Sequence, residues 1–298
     1  MSDPDNISDT KESSSPKKED NLPKYVNLVL GSGSTRGICH VGSIKKLVDA
    51  KLLDLDSIKS IAGTSAGSLL AVLIAIGFNI DQIWDFLLCL DISAMVNPDP
   101  MLLVGKCGLD RGKIFYDLFE NIIAEKTKIK HINFSQLYDI TKKHLIIVGS
   151  CLTTKKAVYF DHINTPHFKV SMALRISIGM PIFFTPVTID GITYIDGAIL
   201  DHYPISLFED DLDRTIGISI TDEFSTKFDH PEEYFVAILN LMMHKFYLME
   251  NLYEKNTIYI NVPKDNSNIF DFGLSQSDKI KLYQLGYSEC ENFIANYL

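Results

Sequence analysis

Cysteine is sparse in this sequence, and the cysteines that occur are far apart. Five are present among 298 residues, with no C-x-x-C pair and no Cys/His cluster. The odd number and the wide spacing indicate reduced thiols, as in a cytoplasmic protein. They exclude a disulfide-rich scaffold and argue against a structural zinc site.

Positive charge and long apolar runs are also scarce. The 28 Lys and Arg residues against 38 Asp and Glu residues give a formal net charge of −10. This balance argues against a nucleic-acid binder and against strong adhesion to an anionic membrane. The longest apolar run, residues 69–78, is far shorter than the roughly 20 residues of a membrane-spanning helix.

The N-terminus lacks the marks of targeting. No apolar h-region follows the polar first residues, which argues against a signal peptide, and Ser2 in place of glycine argues against N-myristoylation. Residues 1–23 are rich in Ser, Asp, Glu, Lys and Pro, which predicts a disordered tail. We expect a cytoplasmic protein that is soluble or at most peripheral to a membrane.

Hydrophobic periodicity predicts strands that alternate with helices, which is typical of an α/β fold with a mainly parallel sheet. Residues 91–110 show no period and are predicted to be irregular. Residues 187–195 alternate about Asp190-Gly191, which predicts a hairpin. The other strands are predicted at residues 25–30, 60–62, 144–151, 157–160, 214–220 and 257–262, and the helices at 38–48, 69–76, 79–90, 111–127, 169–177, 232–253 and 277–297.

Residues 63–67 read G-x-S-x-G between a short apolar run and a long one. The context is a strand, a sharp turn and a buried helix, which a nucleophile elbow requires. Glycine flanks the serine because a larger side chain would clash in so tight a turn. The helix that follows directs the positive end of its dipole at the serine. Ser65 is therefore a candidate nucleophile.

A second glycine-rich turn, residues 31–37, also joins a predicted strand to a predicted helix. It offers backbone N–H groups, which a hydrolase needs to stabilise a tetrahedral oxyanion. Asp196 is a candidate base, because it ends a predicted strand before Gly197, where open α/β sheets build their sites. Taken alone, Asp196 fits an Asx-turn or a cap better than a catalytic base.

These pieces resemble the patatin-like phospholipase family in four stretches, which occur in the family's order. Residues 31–42 look like its oxyanion motif and the helix after it, and residues 63–67 match its G-T-S-A-G elbow. Residues 173–187 look like A-x-R-A-S followed by P-x-x-F-x-P-V, and residues 194–198 match D-G-A/G. The resemblance covers about residues 25–210.

The resemblance implies an α/β, patatin-like three-layer fold with a central, mainly parallel sheet flanked by helices. It also implies a single domain over residues 24–298, with the C-terminal strand and helices in residues 211–298. The implied chemistry is phospholipase A-type hydrolysis of an acyl ester of a glycerophospholipid or other lipid. The implied partners are the lipid and, transiently, a membrane surface, and no metal or organic cofactor is needed.

The resemblance further implies a Ser-Asp dyad, not a triad. Ser65 would be the nucleophile and Asp196 the base, hydrogen-bonded directly to the serine hydroxyl. The N–H groups near Gly33 and Ser34, with that of Ala66, would bind the oxyanion, and an arginine would hold the loop or meet a phosphate. The implied site is Ser65, Asp196, Gly33, Ser34, Thr35, Arg36, Gly37 and Ala66.

The loop departs from the family's pattern. Ser32 and Ser34 stand where glycine is usual, and His202 replaces an asparagine two positions before a proline. A positive φ at Ser34 would be strained. Loss of one oxyanion donor lowers the rate by about a hundred- to a thousandfold. A catalytically weak lipid-binding protein is therefore an alternative.

Other functions fit parts of the pattern. A Ser-His-Asp esterase or lipase would use His202, His230 or His244, none of which lies in a G-x-H loop. A dinucleotide-binding module would use residues 31–37, but their spacing is G-x-G-x-x-x-G. The apolar side chains of residues 91–110 fit a membrane-facing lid, or a segment that folds back on the core.

Overall fold

The computed structural model describes residues 23–222, 251–263 and 273–298, with four single positions between 234 and 241. The predicted tail therefore lies outside the described residues, apart from its last residue. Most of the helix predicted at 232–253 lies outside them as well. Its last residues belong to a short 3₁₀ helix, Asn251–Asn256.

The strands form one large sheet and one small one. Eight of the ten strands that the structure describes lie close to the predicted positions, whereas the short strands at residues 108–110 and 182–184 were not predicted as strands. The large sheet has the order β10-β9-β1-β2-β4-β8-β7, and β5 pairs with β4. The pairs from β10 to β4 are parallel, whereas β5 and β8 are antiparallel to β4, and β7 is antiparallel to β8. The strands are β1 (Asn27–Leu30), β2 (Ser60–Thr64), β3 (Gly108–Asp110), β4 (His144–Cys151), β5 (Lys156–Phe160), β6 (Ile182–Phe184), β7 (Val187–Ile189), β8 (Ile192–Asp196), β9 (Thr215–Asp222) and β10 (Thr257–Val262).

Helices follow most of the strands. Asn79 caps α3 in a capping box with Gln82. The helix α6 was not predicted. The helices are α1 (Ile38–Asp49), α2 (Ala66–Ala75), α3 (Ile80–Cys89), α4 (Pro100–Lys106), α5 (Lys113–Thr127), α6 (Phe134–Thr141), α7 (Val170–Ser177) and α8 (Gln276–Tyr297). In the ranges that the structure describes, no helix combines the length and the apolar character that crossing a bilayer requires.

The prediction that residues 91–110 are irregular was wrong. They contain a 3₁₀ turn, the helix α4 and the strand β3, which pairs with β6. Asp99 caps α4 by accepting the N–H of Met101 at 2.8 Å, and Pro100 occupies its first turn. These elements are too short, and α4 too exposed, to produce an apolar period.

Alternate residues of the central strands face two different layers. Leu28 and Leu30 of β1 pack into the main core under the α-helices. Val29 between them packs on the other face with Tyr203 and Phe208, beside the 3₁₀ helix Ile205–Arg214. The predicted α/β fold, with a central, mainly parallel sheet flanked by helices, is confirmed. Leu30 of β1 pairs with Gly63 of β2, so both glycine turns leave the sheet at one edge.

Candidate active site

The elbow places Ser65 on a strained corner between β2 and α2. Its backbone has φ 53° and ψ −121°, in a region that non-glycine residues rarely adopt. A Cβ on Gly63 would lie 2.5 Å from the Gly67 carbonyl oxygen, and one on Gly67 would lie 2.3 Å from that of Leu30. The Ser65 N–H donates to Ser177 Oγ at 3.0 Å, which holds the corner in place.

Strand register brings Asp196 beside Ser65. Thr64, the last residue of β2, pairs with Val148 of β4, and the next residue of β4, Gly149, pairs with Asp196 of β8. Ser65 Oγ donates to Asp196 Oδ2 at 2.9 Å, with both side chains buried. The structure thus brings together two predicted site residues that lie 131 positions apart in the chain.

The environment of Asp196 raises its proton affinity. Burial raises the pKa of the Asp196 carboxyl to about 7, although the N–H of Ala198, the Ser65 hydroxyl and the Arg175 charge act to lower it. The Ala198 N–H donates to Asp196 Oδ1 at 2.9 Å. A carboxyl group that is partly ionised near neutral pH both accepts and returns a proton readily.

Arg175 of α7 supports the site from behind. Its Nε and Nη2 donate to the Arg111 carbonyl oxygen at 3.1 and 2.9 Å, and Nη2 also donates to that of Thr185 at 2.9 Å. The guanidinium lies 5.0 Å from the centroid of the Phe184 ring. Gly112 has φ 63°, and a Cβ there would lie 2.3 Å from Arg175 Nε. In the sequence, Arg175 was noted only as part of the stretch that resembles A-x-R-A-S, and no role was predicted for it. Its hydrogen-bond partners are distant in the chain, so the sequence does not reveal them.

The loop at residues 31–37 lies against the elbow. Ser34 has a left-handed φ of 49°, the strained conformation anticipated from its sequence. Arg36 is buried, and its backbone N–H and Nε both donate to the Gly33 carbonyl oxygen, at 3.0 and 3.3 Å. Arg36 therefore holds the loop. A Cβ on Gly37 would lie 2.7 Å from the Cβ of Ala66, so the starts of α1 and α2 are in contact.

Two buried histidines anchor the beginning of this loop. His40 Nε2 lies 2.9 Å from the Gly31 carbonyl oxygen. Burial lowers the pKa of His40 to about 4, so the ring is neutral at pH 7 and Nε2–H is the donor to that oxygen. The carbonyl oxygen of His202 accepts the Ser32 N–H at 2.8 Å. The sequence did not indicate either anchor.

An apolar cavity of about 70 Å³ opens beside the Ser65 hydroxyl. Ser34, Thr35, Ala66 and Asp196 also line it, so five of the predicted site residues share one cavity, whereas Gly33, Arg36 and Gly37 support the loop outside it. A cavity of this lining suits a hydrocarbon chain next to a serine. Its apolar walls are Leu69, Ile92, Phe115, Ile178, Met180 and Phe184.

The hydrogen bond that Ser65 makes does not favour the Ser-His-Asp alternative. The Ser65 hydroxyl contacts a carboxylate directly, without an imidazole between them. His144 opens β4 and lies 3.3 Å from Asp161, at the opposite edge of the sheet. His230 and His244 lie outside the described residues.

The sequence is similar to proteins of viruses and bacteria. It is 32% identical to the uncharacterized protein R571 of Acanthamoeba polyphaga mimivirus, over 92% of this chain and 95% of that one. It is 27% identical to the uncharacterized protein YqhO of Bacillus subtilis, over 92% and 99%. It is 28% identical to the probable lipid hydrolase 463L of Invertebrate iridescent virus 6, over 62% and 64%.

Solved structures share the fold, and a family model matches the region of the site. VipD from Legionella pneumophila superposes with a TM-score of 0.64 at 14% identity, over 92% of this chain and 67% of that one. The type III effector ExoU has a TM-score of 0.55 at 14% identity, over 93% and 54%. The model of the patatin-like phospholipases matches residues 28–209, which include both glycine turns and Asp196. The chain belongs to the patatin-like phospholipase family.

Proposed function

We propose that this chain is a lipid acyl hydrolase of the phospholipase A type, with Ser65 as nucleophile and Asp196 as base. The observation that carries the proposal is the 2.9 Å hydrogen bond from Ser65 Oγ to the buried Asp196 carboxylate, beside an apolar cavity. Family membership and the lipid hydrolase relative from Invertebrate iridescent virus 6 support a lipid substrate.

The first step forms an acyl-serine. Asp196 takes the proton of the Ser65 hydroxyl while Oγ attacks the carbonyl carbon of the ester. The negative oxygen that forms is bound by backbone N–H groups of the loop at Ser34 and of Ala66. Ala66 is the first residue of α2, so its N–H has no acceptor within the helix. The helix dipole stabilises the same charge.

The second step releases the fatty acid. The tetrahedral intermediate collapses, the alcohol of the lysophospholipid leaves, and Asp196 returns the proton to that alcohol. Asp196 then takes a proton from a water molecule that attacks the acyl-serine. The fatty acid leaves, and the proton returns to Ser65 Oγ. The apolar walls of the cavity contact the part of the acyl chain next to the ester through both steps.

The strained loop favours a second candidate, a lipid-binding protein with weak catalysis. Ser34 holds a left-handed φ of 49°, which costs about 1 kcal/mol relative to glycine. A loop under strain relaxes more easily, and a displaced N–H loses its contact with the oxyanion.

Fatty-acid release from mixed phospholipid vesicles separates the two candidates. We expect release by the wild type, and a loss of about a thousandfold or more in Ser65→Ala and Asp196→Asn. Ser288→Ala is the matched control, because that serine is exposed on α8 and its hydroxyl donates to the Leu285 carbonyl oxygen of the same helix. Wild-type rates in Ser65→Ala would contradict the proposal. Vesicle binding without release by the wild type would favour the second candidate.

A further inference from the structure

The helix α4 exposes apolar side chains to solvent. In the part of the chain that the structure describes, none of its seven residues is buried. Met101 is 75% exposed, Val104 is 84% exposed and Leu103 is 38% exposed. Apolar side chains concentrated on one exposed helix mark an interaction site. We call α4, with the exposed side chains of Arg111, Lys113 and Ile182, the docking surface.

The exposed charge of the docking surface is opposite in sign to the net charge of the chain. Residues 100–113 contain the three exposed cations Lys106, Arg111 and Lys113, in a chain of formal net charge −10. Their one acid, Asp110, is buried and accepts the N–H groups of Asn97 and Gly112. Just outside, Asp99 caps α4, and Asp117 pairs with Lys113. Apolar side chains flanked by cations complement an anionic lipid surface.

The docking surface is continuous with the wall of the cavity. β3 follows α4 directly, and its Gly108 and Asp110 pair with Ile182 and Phe184 of β6. Ile182 is exposed, whereas Phe184 lines the cavity. Phe184 also packs edge-on against Phe115, with ring centroids 5.8 Å apart. Within β6, the exposed Ile182 and the cavity-lining Phe184 are therefore only two residues apart, so the docking surface adjoins the cavity beside Ser65.

We propose that the docking surface binds a membrane that contains anionic phospholipid, and that a lipid enters the cavity from there. Met101, Leu103 and Val104 insert at the boundary between headgroups and acyl chains. Lys106 and Arg111 face the net negative charge of the anionic headgroups. Binding stands on the docking surface alone, whereas delivery of a lipid to Ser65 rests on the proposed function.

Vesicle sedimentation tests the binding. The protein carries Ser65→Ala, so that vesicles stay intact, and the vesicles are phosphatidylcholine alone or with phosphatidylserine. We expect Met101→Asp/Val104→Asp to weaken binding by about tenfold or more. Lys106→Gln/Arg111→Gln should weaken it about fivefold per cation, on the phosphatidylserine vesicles only.

Ile163→Asp is the matched control. Ile163 is 66% exposed and follows Asp161, which contacts His144 at the start of β4. Ser65 follows the end of β2, which is parallel to β4, so Ile163 lies at the opposite edge of the sheet. The proposal would be overturned if Ile163→Asp weakened vesicle binding as much as Met101→Asp/Val104→Asp does. It would also be overturned if Met101→Asp/Val104→Asp bound vesicles as tightly as the wild type. Absence of wild-type binding to the vesicles that contain phosphatidylserine would also overturn it.

A tryptophan variant tests the proposal even if the aspartate variants do not fold. The natural chain has one tryptophan, Trp84, which packs on Tyr283. Val104→Trp should be quenched by vesicles of brominated phospholipid, and Ile163→Trp should not. Equal quenching of the two variants would contradict the proposal. So would a dimer of the wild type that Val104→Asp dissociates, because the occupant would then be a second copy.

Hydrolysis of a soluble short-chain ester separates failure of binding from failure of the proposed function. With the natural Ser65 restored, Met101→Asp/Val104→Asp should keep the wild-type rate on this ester and lose about tenfold or more on vesicles. Absence of ester hydrolysis in every variant would overturn the proposed function while leaving the sedimentation result valid. Equal vesicle rates in variant and wild type would overturn the delivery route.

Discussion

The elbow at residues 63–67 and the loop at residues 31–37 are both glycine turns between a strand and a helix, but position 67 of the elbow and position 34 of the loop differ in whether they tolerate serine. In the elbow, a Cβ on Gly67 would lie 2.3 Å from the Leu30 carbonyl oxygen, a backbone atom that cannot move aside. In the loop, Ser34 adopts a left-handed φ of 49° at a cost of about 1 kcal/mol. A glycine required by backbone contact is thus fixed, whereas one favoured by dihedral preference alone is replaceable.

Asp196→Asn should have the largest effect, because it removes the base that we assign to the elbow. We expect the rate of fatty-acid release to fall by about a thousandfold or more. In the wild type, kcat/KM should rise with pH and level off above about 7, because the raised pKa of Asp196 is about 7. A wild-type profile that is flat from pH 5 to 8 would contradict this role.

Asp196→Asn should lower activity but raise the stability of the folded protein above neutral pH. The pKa of Asp196 is raised from 3.8 to about 7 in the folded protein. Its contribution to stability is therefore fully present below about pH 4 and is lost as pH rises to about 7. Asp196→Asn removes this loss, so we expect the variant to be more stable at pH 8, by up to about 4 kcal/mol. Urea unfolding at pH 4 and pH 8 measures the difference.

Gly67→Ala should break the elbow. The added methyl group would contact the carbonyl oxygens of Leu30 and Gly31 within 2.5 Å, so we expect a loss of about 3 kcal/mol in unfolding free energy. Gly105→Ala is the control, because an added Cβ there has nothing within 4 Å. Urea denaturation of both variants measures the difference. Equal stabilities would contradict the claim that backbone contacts exclude a side chain at position 67.

Substitutions of Arg175 distinguish the effect of its charge on Asp196 from the effect of its hydrogen bonds. Its charge lowers the pKa of Asp196, so Arg175→Met should move the midpoint of the pH profile upward. Arg175→Lys keeps the charge but cannot reproduce the guanidinium contacts with Arg111 and Thr185. We expect it to keep the midpoint while the rate falls about tenfold. A purely structural arginine would leave the midpoint unchanged in both variants.

Ser34→Gly should have the smallest effect, and it tests whether the loop needs a serine side chain at position 34. Glycine adopts a φ of 49° without strain, so we expect unchanged or higher activity and a stability change of less than about 1 kcal/mol. Gly67→Ser, at the elbow, should instead destabilise the protein strongly. A large loss of activity in Ser34→Gly would mean that the serine side chain itself is needed.

Local patterns sufficed for much of the fold. The hairpin at Asp190-Gly191 was predicted from its turn residues, and both have positive φ, 51° and 78°. The helix α3 and the buried strand β4 lie where the sequence predicts them. Each depends on neighbours a few residues away. α4 escaped prediction because its seven residues are all at least partly exposed, and β3 because three residues are too few to leave a periodic signal.

The site needed more than local pattern. Ser65 stood out by its turn, but the pairing with Asp196 spans 131 positions and was anticipated only through resemblance. The contact of Arg175 with Arg111 spans 64 positions, and His40 reaches back to Gly31 from the next helix. The register of the sheet sets the first of these contacts, and the packing of helices against loops sets the other two. A single sequence displays neither.

The central claim is that Ser65 is a nucleophile activated by Asp196. Its most direct test is labelling with an alkyl fluorophosphonate, followed by mass spectrometry of the intact chain and its peptides. We predict one label per chain, on Ser65, with labelling at least about a hundredfold slower in Asp196→Asn and absent in Ser65→Ala. Labelling of another residue, or equal rates in the wild type and Asp196→Asn, would contradict the account.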